Sequence, residues 1–380
     1  MNSYTRVHMA FTKEKSDQVP IYCCCVSSRV ASAFLGHEAY VGGGIQQWRE
    51  VTALWRGGQA HQEYLERSRE DALQWARVGD YDFVRRSYWR MPVKPDERID
   101  ENTFRFRRGD GTEYVMRFFP ESELFSVIHD TAVPITDPDD LEPVVEKLEQ
   151  QARDFVAPDI YEDYRWAMQQ FNWQRSMEIG GLAVMIPNTQ PVWYEAVVAR
   201  PDLVDRYLET QLITSLKTIP MIAANGARIA FGGGDCAGNT GLIYSPRVFR
   251  EMLVPRFRKI SEECKRYGLF HCFGSDGNIW SVADDLYVDA GIAGHYELDV
   301  RAGMGVRAVR EKYPHITVIG GISVATVETG TPEEITSEVT EAMTAAKELG
   351  GAIIGPSNLL SPSTPIKNVE LMLELMHKLR

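Results

Sequence analysis

The stretch SPRVFREMLVPRFRKISEECKRYGLFHCFGS, residues 245–275, carries a helix followed at once by a strand, and its reading decides the fold. Ser245 supplies a capping hydroxyl and Pro246 fits the first helical position, where no N–H is needed. Phe249, Leu253, Phe257, Ile260 and Cys264 then recur at helical spacing, so Cys264 reads as a core residue. Pro255 lacks the N–H that a helix interior requires, and a kink is expected there. Gly268 suits the helix end. Leu269 to Ser275 is a short apolar run that closes on a Gly-containing polar turn, as a buried strand does.

Working outward, the same unit repeats. RIAFGGGD (228–235) precedes the helix. AGHYELD (293–299) follows a helical VADDLYVDAG (282–291), and ITVIGGIS (316–323) follows a helical VRAVREKY (306–313). TPEEITSEVTEAMTAAKELG (331–350) opens on Thr331, Pro332 and two acids, a helix N-terminus. GAIIGPSN (351–358) is the last strand and IKNVELMLELMHKL (366–379) a closing helix. Two earlier strands are expected at VPIYCCCV (19–26) and GGLAVMIP (180–187), the latter after a helical IYEDYRWAMQQFNW (160–173). Short strands between longer helices imply parallel βαβ units. With no nucleotide-binding glycine fingerprint, the pattern favours a (β/α)8 TIM-type barrel over an open doubly wound sheet. Residues 88–125 differ: RGDG (108–111) has hairpin character and aromatic residues alternate around it, so a β-hairpin-like, lid-like excursion is expected. The expected organisation is one barrel domain over 1–380, with an N-terminal extension and the excursion in 1–125 and the barrel body in 126–380.

The 380 residues carry a net charge of −12, which argues against a nucleic-acid partner. No apolar run reaches the ~18–20 residues that span a bilayer, and the N-terminus has no long apolar signal core. A cytoplasmic protein with no membrane contact is expected. The cysteines, Cys23, Cys24, Cys25, Cys236, Cys264 and Cys272, show no regular spacing and read as reduced thiols. In a strand, Cys23 and Cys25 would share a face, and core packing explains them.

In such barrels chemistry sits at the C-terminal strand ends. Those ends carry Asp235 and Cys236, then His271, Cys272 and Asp276. Glu297 and Asp299 follow, and then Ser323, Ser357 and Asn358. Asp235 has a plain alternative as a turn cap. Neighbouring strand residues face opposite ways, so His271 and Cys272 cannot both face the barrel centre. A catalytic zinc wants about three N, S or O ligands and an open position. Cys236, His271, Asp276 and Glu297 offer such atoms, although no HxC, CxxC or HExxH spacing is present. The run RRSYWRMP (85–92) supplies Arg85, Arg86, Tyr88, Trp89 and Arg90, which could wall a site for an aromatic or anionic ligand or form a solvated connection.

Several blocks together carry a family resemblance. GGGDCAGNTGLIYSPRVFREMLVPRFRKI (232–260), LFHCFGSDG (269–277), ELDVRAGMGVRAVREKY (297–313), ITVIGGIS (316–323) and GAIIGPSNLLSPSTPIKNVELMLE (351–374) resemble the uroporphyrinogen decarboxylase-like superfamily over at least 175–380. SSRVASAFLGHEAYVGGG (27–44) resembles the N-terminal region of its bacterial members. The resemblance implies a (β/α)8 barrel and one of two chemistries. One is cofactor-free decarboxylation of a tetrapyrrole's acetate arms. The other is methyl transfer to or from a corrinoid protein or a thiol, usually with zinc at the barrel mouth.

The chain departs from both patterns. The RQAGR-type arginine motif of true decarboxylases is replaced by IYCCCVSSRVAS (21–32), which offers only Arg29, and DFVRRSY (82–88) stands in the FSDI-like region. Their Gly-His near the last strand is Ser357-Asn358. A substrate with up to eight carboxylates would lack counter-charges, so the methyltransferase branch is the nearer one. In the zinc methyltransferases' HxC, His271 keeps the His place, but Phe273 stands at the Cys, and Asn358 falls near their last Cys. A replacement zinc set of His271, Glu297 and Cys236 is one expectation; the other is no metal, with His271 as a general acid.

The resemblance and the strand ends together lead to one expectation. A methyl group would pass from a small O-methylated donor, aryl methyl ethers included, to a separate corrinoid protein, as in an O-demethylase system. Asp235, His271 and Glu297 would be catalytic; Arg86, Tyr88, Trp89, Asp276 and Asn358 would bind the donor. Self-association as a homodimer is left open. The rivals are a cofactor-free carboxy-lyase on a small carboxylate held by Arg29, Arg85 or Arg86, and a non-catalytic binding protein on the same barrel.

Overall fold

The computed structural model describes residues 1–23, 25–85, 89–157 and 161–380, with only the backbone of Glu178. Seven parallel strands form one sheet in chain order: β1 (Phe83–Val84), β2 (Ser176–Leu182), β3 (Ile229–Gly233), β4 (Phe270–Gly274), β5 (Gly294–Leu298), β6 (Thr317–Ile322) and β7 (Ala352–Pro356). The eighth position is filled from the N-terminal region. Ile21 bridges to Ile354 of β7 and Tyr22 to Phe83 of β1, both in parallel. These bridges join the two sheet edges and leave a closed (β/α)8 barrel, which removes the edges that an open sheet would expose. Two of the eight positions thus come from before residue 126, so the boundary expected there does not divide barrel from extension.

Alternation along each strand sorts side chains between two cores. Tyr22, Ile229, Cys272, Tyr296, Ile319 and Ile353 meet inside the barrel. Ala230, Phe273, Leu298, Val318 and Ile354 face the helical layer. A helix at Ser3–Thr12, capped by the Asn2 side chain, closes the N-terminal end of the barrel. Its Val7, Ala10 and Phe11 enter the inner core, and the Phe11 ring stacks on Phe270 with centroids 4.6 Å apart. The barrel therefore opens at its C-terminal end.

Pro255 acts one turn upstream of itself. An α-helical turn at Pro246–Val248 widens to a π-helical turn at Phe249–Leu253, and the α-helix resumes at Val254–Arg266. The wider turn accommodates the missing donor. Phe249, Leu253, Phe257, Ile260 and Cys264 are all buried, as their spacing predicts. The strand expected at 180–187 lies earlier. Leu182, Val184 and Ile186 are buried, but only the chain up to Leu182 pairs with its neighbours. Beyond it the apolar run packs in the outer core, which explains why hydrophobicity misplaced the strand.

The excursion is larger than one hairpin. Glu97–Arg98, Thr103–Arg107, Glu113–Phe119 and Leu124–Asp130 form a four-stranded antiparallel meander, with RGDG at its second turn. Phe104, Phe106, Phe118 and Phe125 pack with Ile45 and Val51 of the helix Gly44–Arg56. The Glu123 carboxylate accepts from the N–H groups of Ser28 and Arg29, each at 2.8 Å, at the start of the helix Ser28–Leu35. A carboxylate suits a helix start, and this one ties the meander to the barrel. Among the described residues no helix is long and apolar enough to cross a membrane.

Candidate active site at the barrel mouth

A cavity of about 600 Å³ lies at the C-terminal ends of the strands. Its floor is aromatic: Phe231 of β3 and Tyr296 of β5 meet edge to face with centroids 4.9 Å apart. Two glycines make this packing possible. A Cβ on Gly274 would lie 2.4 Å from the Phe231 ring, and one on Gly233, which has φ +114°, would lie 2.5 Å from the Gly274 carbonyl. The glycine run after β3 thus serves close approach of strands. It delivers Asp235 to the cavity wall.

Glu297 reaches the wall by a different device. The pairing of β5 with β6 jumps a residue between Tyr296 and Leu298, and the bulged Glu297 has φ +68°. A regular strand would send Tyr296 and Glu297 to opposite faces. The bulge brings both to the mouth. A non-glycine residue held in the left-handed region costs about 1 kcal/mol or more, and such strain gathers at functional sites.

Asp276 follows β4. Its Oδ2 accepts from Nδ2 of Asn358 at 2.6 Å, and Asn358 lines the cavity. Burial pushes the Asp276 carboxyl up to about 6; the Asn358 bond works against this, while the charges of Asp235 and Asp299 add to it. The turn that carries Asp276 is held from beneath. His295 is buried and pushed down to about 4, hence neutral, so the Tyr287 hydroxyl donates to its Nδ1 at 2.6 Å and its Nε2–H donates to the Ser275 carbonyl at 3.1 Å. Across the cavity stand Cys25, Arg85 and Trp89. Arg85 Nη1 donates to Cys25 Sγ at 2.9 Å. Cys23, by contrast, packs in the outer core, so Cys23 and Cys25 do not share a face.

The comparisons with known proteins fit this frame. The family model for uroporphyrinogen decarboxylase (URO-D) matches residues 182–379, more than half of the chain. The chain belongs to the URO-D family. A methyltransferase from Methanosarcina mazei shares the fold, at 16% identity and TM-score 0.64, over 100% of this chain and 99% of that one. A xylose isomerase-like TIM barrel protein from Mycobacterium smegmatis is more distant, at 12% identity and TM-score 0.31, over 62% of this chain and 89% of that one. No curated protein matches.

The URO-D barrel redistributes the expected site residues. Asp235, Glu297, Asn358 and Trp89 line the mouth, and Asp276 is joined to it through the bond from Asn358. Arg86 and Tyr88 lie outside the described residues. His271 is a correction. It is the second residue of β4, paired with Ala230, and its ring faces the helix Val254–Arg266, where Nδ1 meets Ser261 Oγ at 2.8 Å. Cys272 takes the inward face instead. Burial pushes His271 down to about 4, and nothing places it at the mouth. Cys236 is also turned away: its thiol lies 3.5 Å from Ser275 Oγ, and burial pushes it up to about 11. The zinc set of His271, Glu297 and Cys236 therefore does not assemble. Among the described residues no three His, Cys, Asp or Glu side chains gather closely enough to hold a metal ion. As placed, His271, Glu297 and Cys236 do not offer zinc a ligand set. Phe231, Tyr296, Cys25, Met185 and Asn188 are among the cavity residues that the strand-end reading left out, and Arg85, named within the 85–92 run, joins them.

Proposed function

We propose that the chain is a methyltransferase that binds a small O-methylated donor in the mouth cavity and passes its methyl group to a corrinoid protein docked over the opening. Membership of the URO-D family and the shared fold with a methyltransferase support the reaction class. The observation that carries the reading is the strained bulge at Glu297, which sets a carboxyl group over an aromatic floor on the acidic side of the mouth. A cavity of about 600 Å³ suits one small ligand, so a corrin would stay on its carrier at the rim.

The residues of this chain would act on the oxygen side of the donor. Phe231 and Tyr296 hold the apolar part of the donor and exclude water beneath it. The carbon–oxygen bond breaks with its electron pair going to oxygen, and a carboxyl at the acidic end of the cavity gives that oxygen its proton. Asp276 keeps a proton up to about pH 6, and Asn358 fixes the orientation of that carboxyl. The partner's corrinoid, when bound, supplies the nucleophile that takes the methyl group. Incubation with a panel of methoxylated donors and a reduced corrinoid acceptor tests the reading. Methylated corrinoid is the expected product; none across the panel would sink the proposal.

A further inference from the structure

The mouth is electrically polarised across its width. Counting round the barrel from Tyr22, Arg85 follows the second position, Asp235 the fourth, Asp276 the fifth and Glu297 ends the sixth. The second and sixth positions of eight stand opposite one another. Strands about 4.8 Å apart and tilted by about 36° close on a circle roughly 15 Å across. Arg85 and Glu297 line the same cavity of about 600 Å³ as the Phe231–Tyr296 floor, a volume that holds a single-ring ligand. Among the described lining residues Arg85 is the cation, and Asp235 and Glu297 are the anions.

We infer that the cavity takes an aryl carboxylate, with the carboxylate on Arg85 and the reacting group at the opposite, acidic end. On the methyl-transfer reading, on which this rests, the donor is a methoxybenzoate-type molecule rather than an uncharged methyl ether. Guanidinium binds carboxylate through two parallel N–H bonds, which fixes direction as well as affinity. The acids across the cavity reinforce that direction, because a reversed ligand would set its carboxylate against Asp235 and Glu297. The ring then lies on Tyr296 and Phe231, and its far substituent points at the groups that can protonate a leaving oxygen.

Titration of the intact protein with 4-methoxybenzoate and with methoxybenzene, by calorimetry without any corrinoid, tests this. Wild type should bind the carboxylate on the order of 10- to 100-fold more tightly. Arg85→Gln should remove that preference and keep the weak affinity for methoxybenzene, and Arg85→Lys should keep part of it. Unchanged urea midpoints would show that both variants fold. Equal affinity for the two ligands in wild type, binding of neither, or a preference that survives Arg85→Gln would overturn the inference. Methyl transfer is scored separately. An Arg85-dependent preference with no methyl reaching a corrinoid acceptor would keep the carboxylate assignment and discard the methyltransferase reading. Carbon dioxide released from the bound acid would point the same way, towards a lyase.

Discussion

Asp276→Asn should make the protein more stable at neutral pH while damaging the site. The Asp276 carboxyl rises from its ordinary 3.8 to about 6 in the folded protein. A group whose folded pKa lies above its unfolded value favours folding fully below the unfolded pKa. That contribution is lost as pH rises through the folded pKa. The window therefore runs from about pH 4 to about pH 6. At full strength the rise corresponds to about 3 kcal/mol, and solvent at the open mouth reduces it to about 1–2 kcal/mol. An asparagine carries no charge at any pH and still accepts from Asn358 Nδ2. The stability of the variant relative to wild type should thus climb by about 1–2 kcal/mol between pH 4 and pH 7.5. Urea unfolding of both proteins across that range measures the difference, and titrations common to the two cancel. A difference that stays flat with pH would refute the raised carboxyl, and with it the proton source assigned to the donor's oxygen.

The other expectations concern groups around the same strands. His271→Ala should cost about 2 kcal/mol, because it empties a buried site and strands the Ser261 hydroxyl, yet it should leave affinity for 4-methoxybenzoate unchanged; lost affinity with stability intact would restore His271 to the site. Its depressed pKa also predicts a pH effect of opposite sign to that of Asp276. Stability present above pH 6.5 falls as pH drops towards 4, and His271→Ala should lose that share of acid sensitivity in urea unfolding. Tyr287→Phe should cost about 1–3 kcal/mol by leaving His295 Nδ1 without a donor, and a loss below about 0.5 kcal/mol would contradict the hydrogen bond. Glu297→Gly should stabilise the fold by up to about 1 kcal/mol through relief of the left-handed backbone, while removing methyl transfer; a destabilised variant would mean that the bulge carries no strain.

How much of the site could be read in advance depends on the residue. Asp235, Asp276, Glu297 and Asn358 were legible because each lies at or just past the end of a recognisable strand, and strand ends of one barrel converge. His271 was not. Its place beside Cys272 left the facing direction to parity, which is set by pairing with β3 and β5 rather than by the residues themselves. Cys236 failed for a related reason: it sits in a turn whose path follows from the Ser275 hydroxyl that its backbone N–H donates to. Arg85 was visible as a cation, but its position across from Glu297 exists only once the barrel closes.

Local chemistry determined the alternation of strands and helices, the helix caps and the buried faces, because periods of 2 and 3.6 residues act over a few neighbours. The family blocks also stand in the linear order of residues. Closure of the sheet through Ile21 and Tyr22, the bulge that turns Glu297 into the mouth and the outward turn of His271 depend on contacts between residues far apart in the chain. Register and burial settle those, and only the folded barrel supplies them.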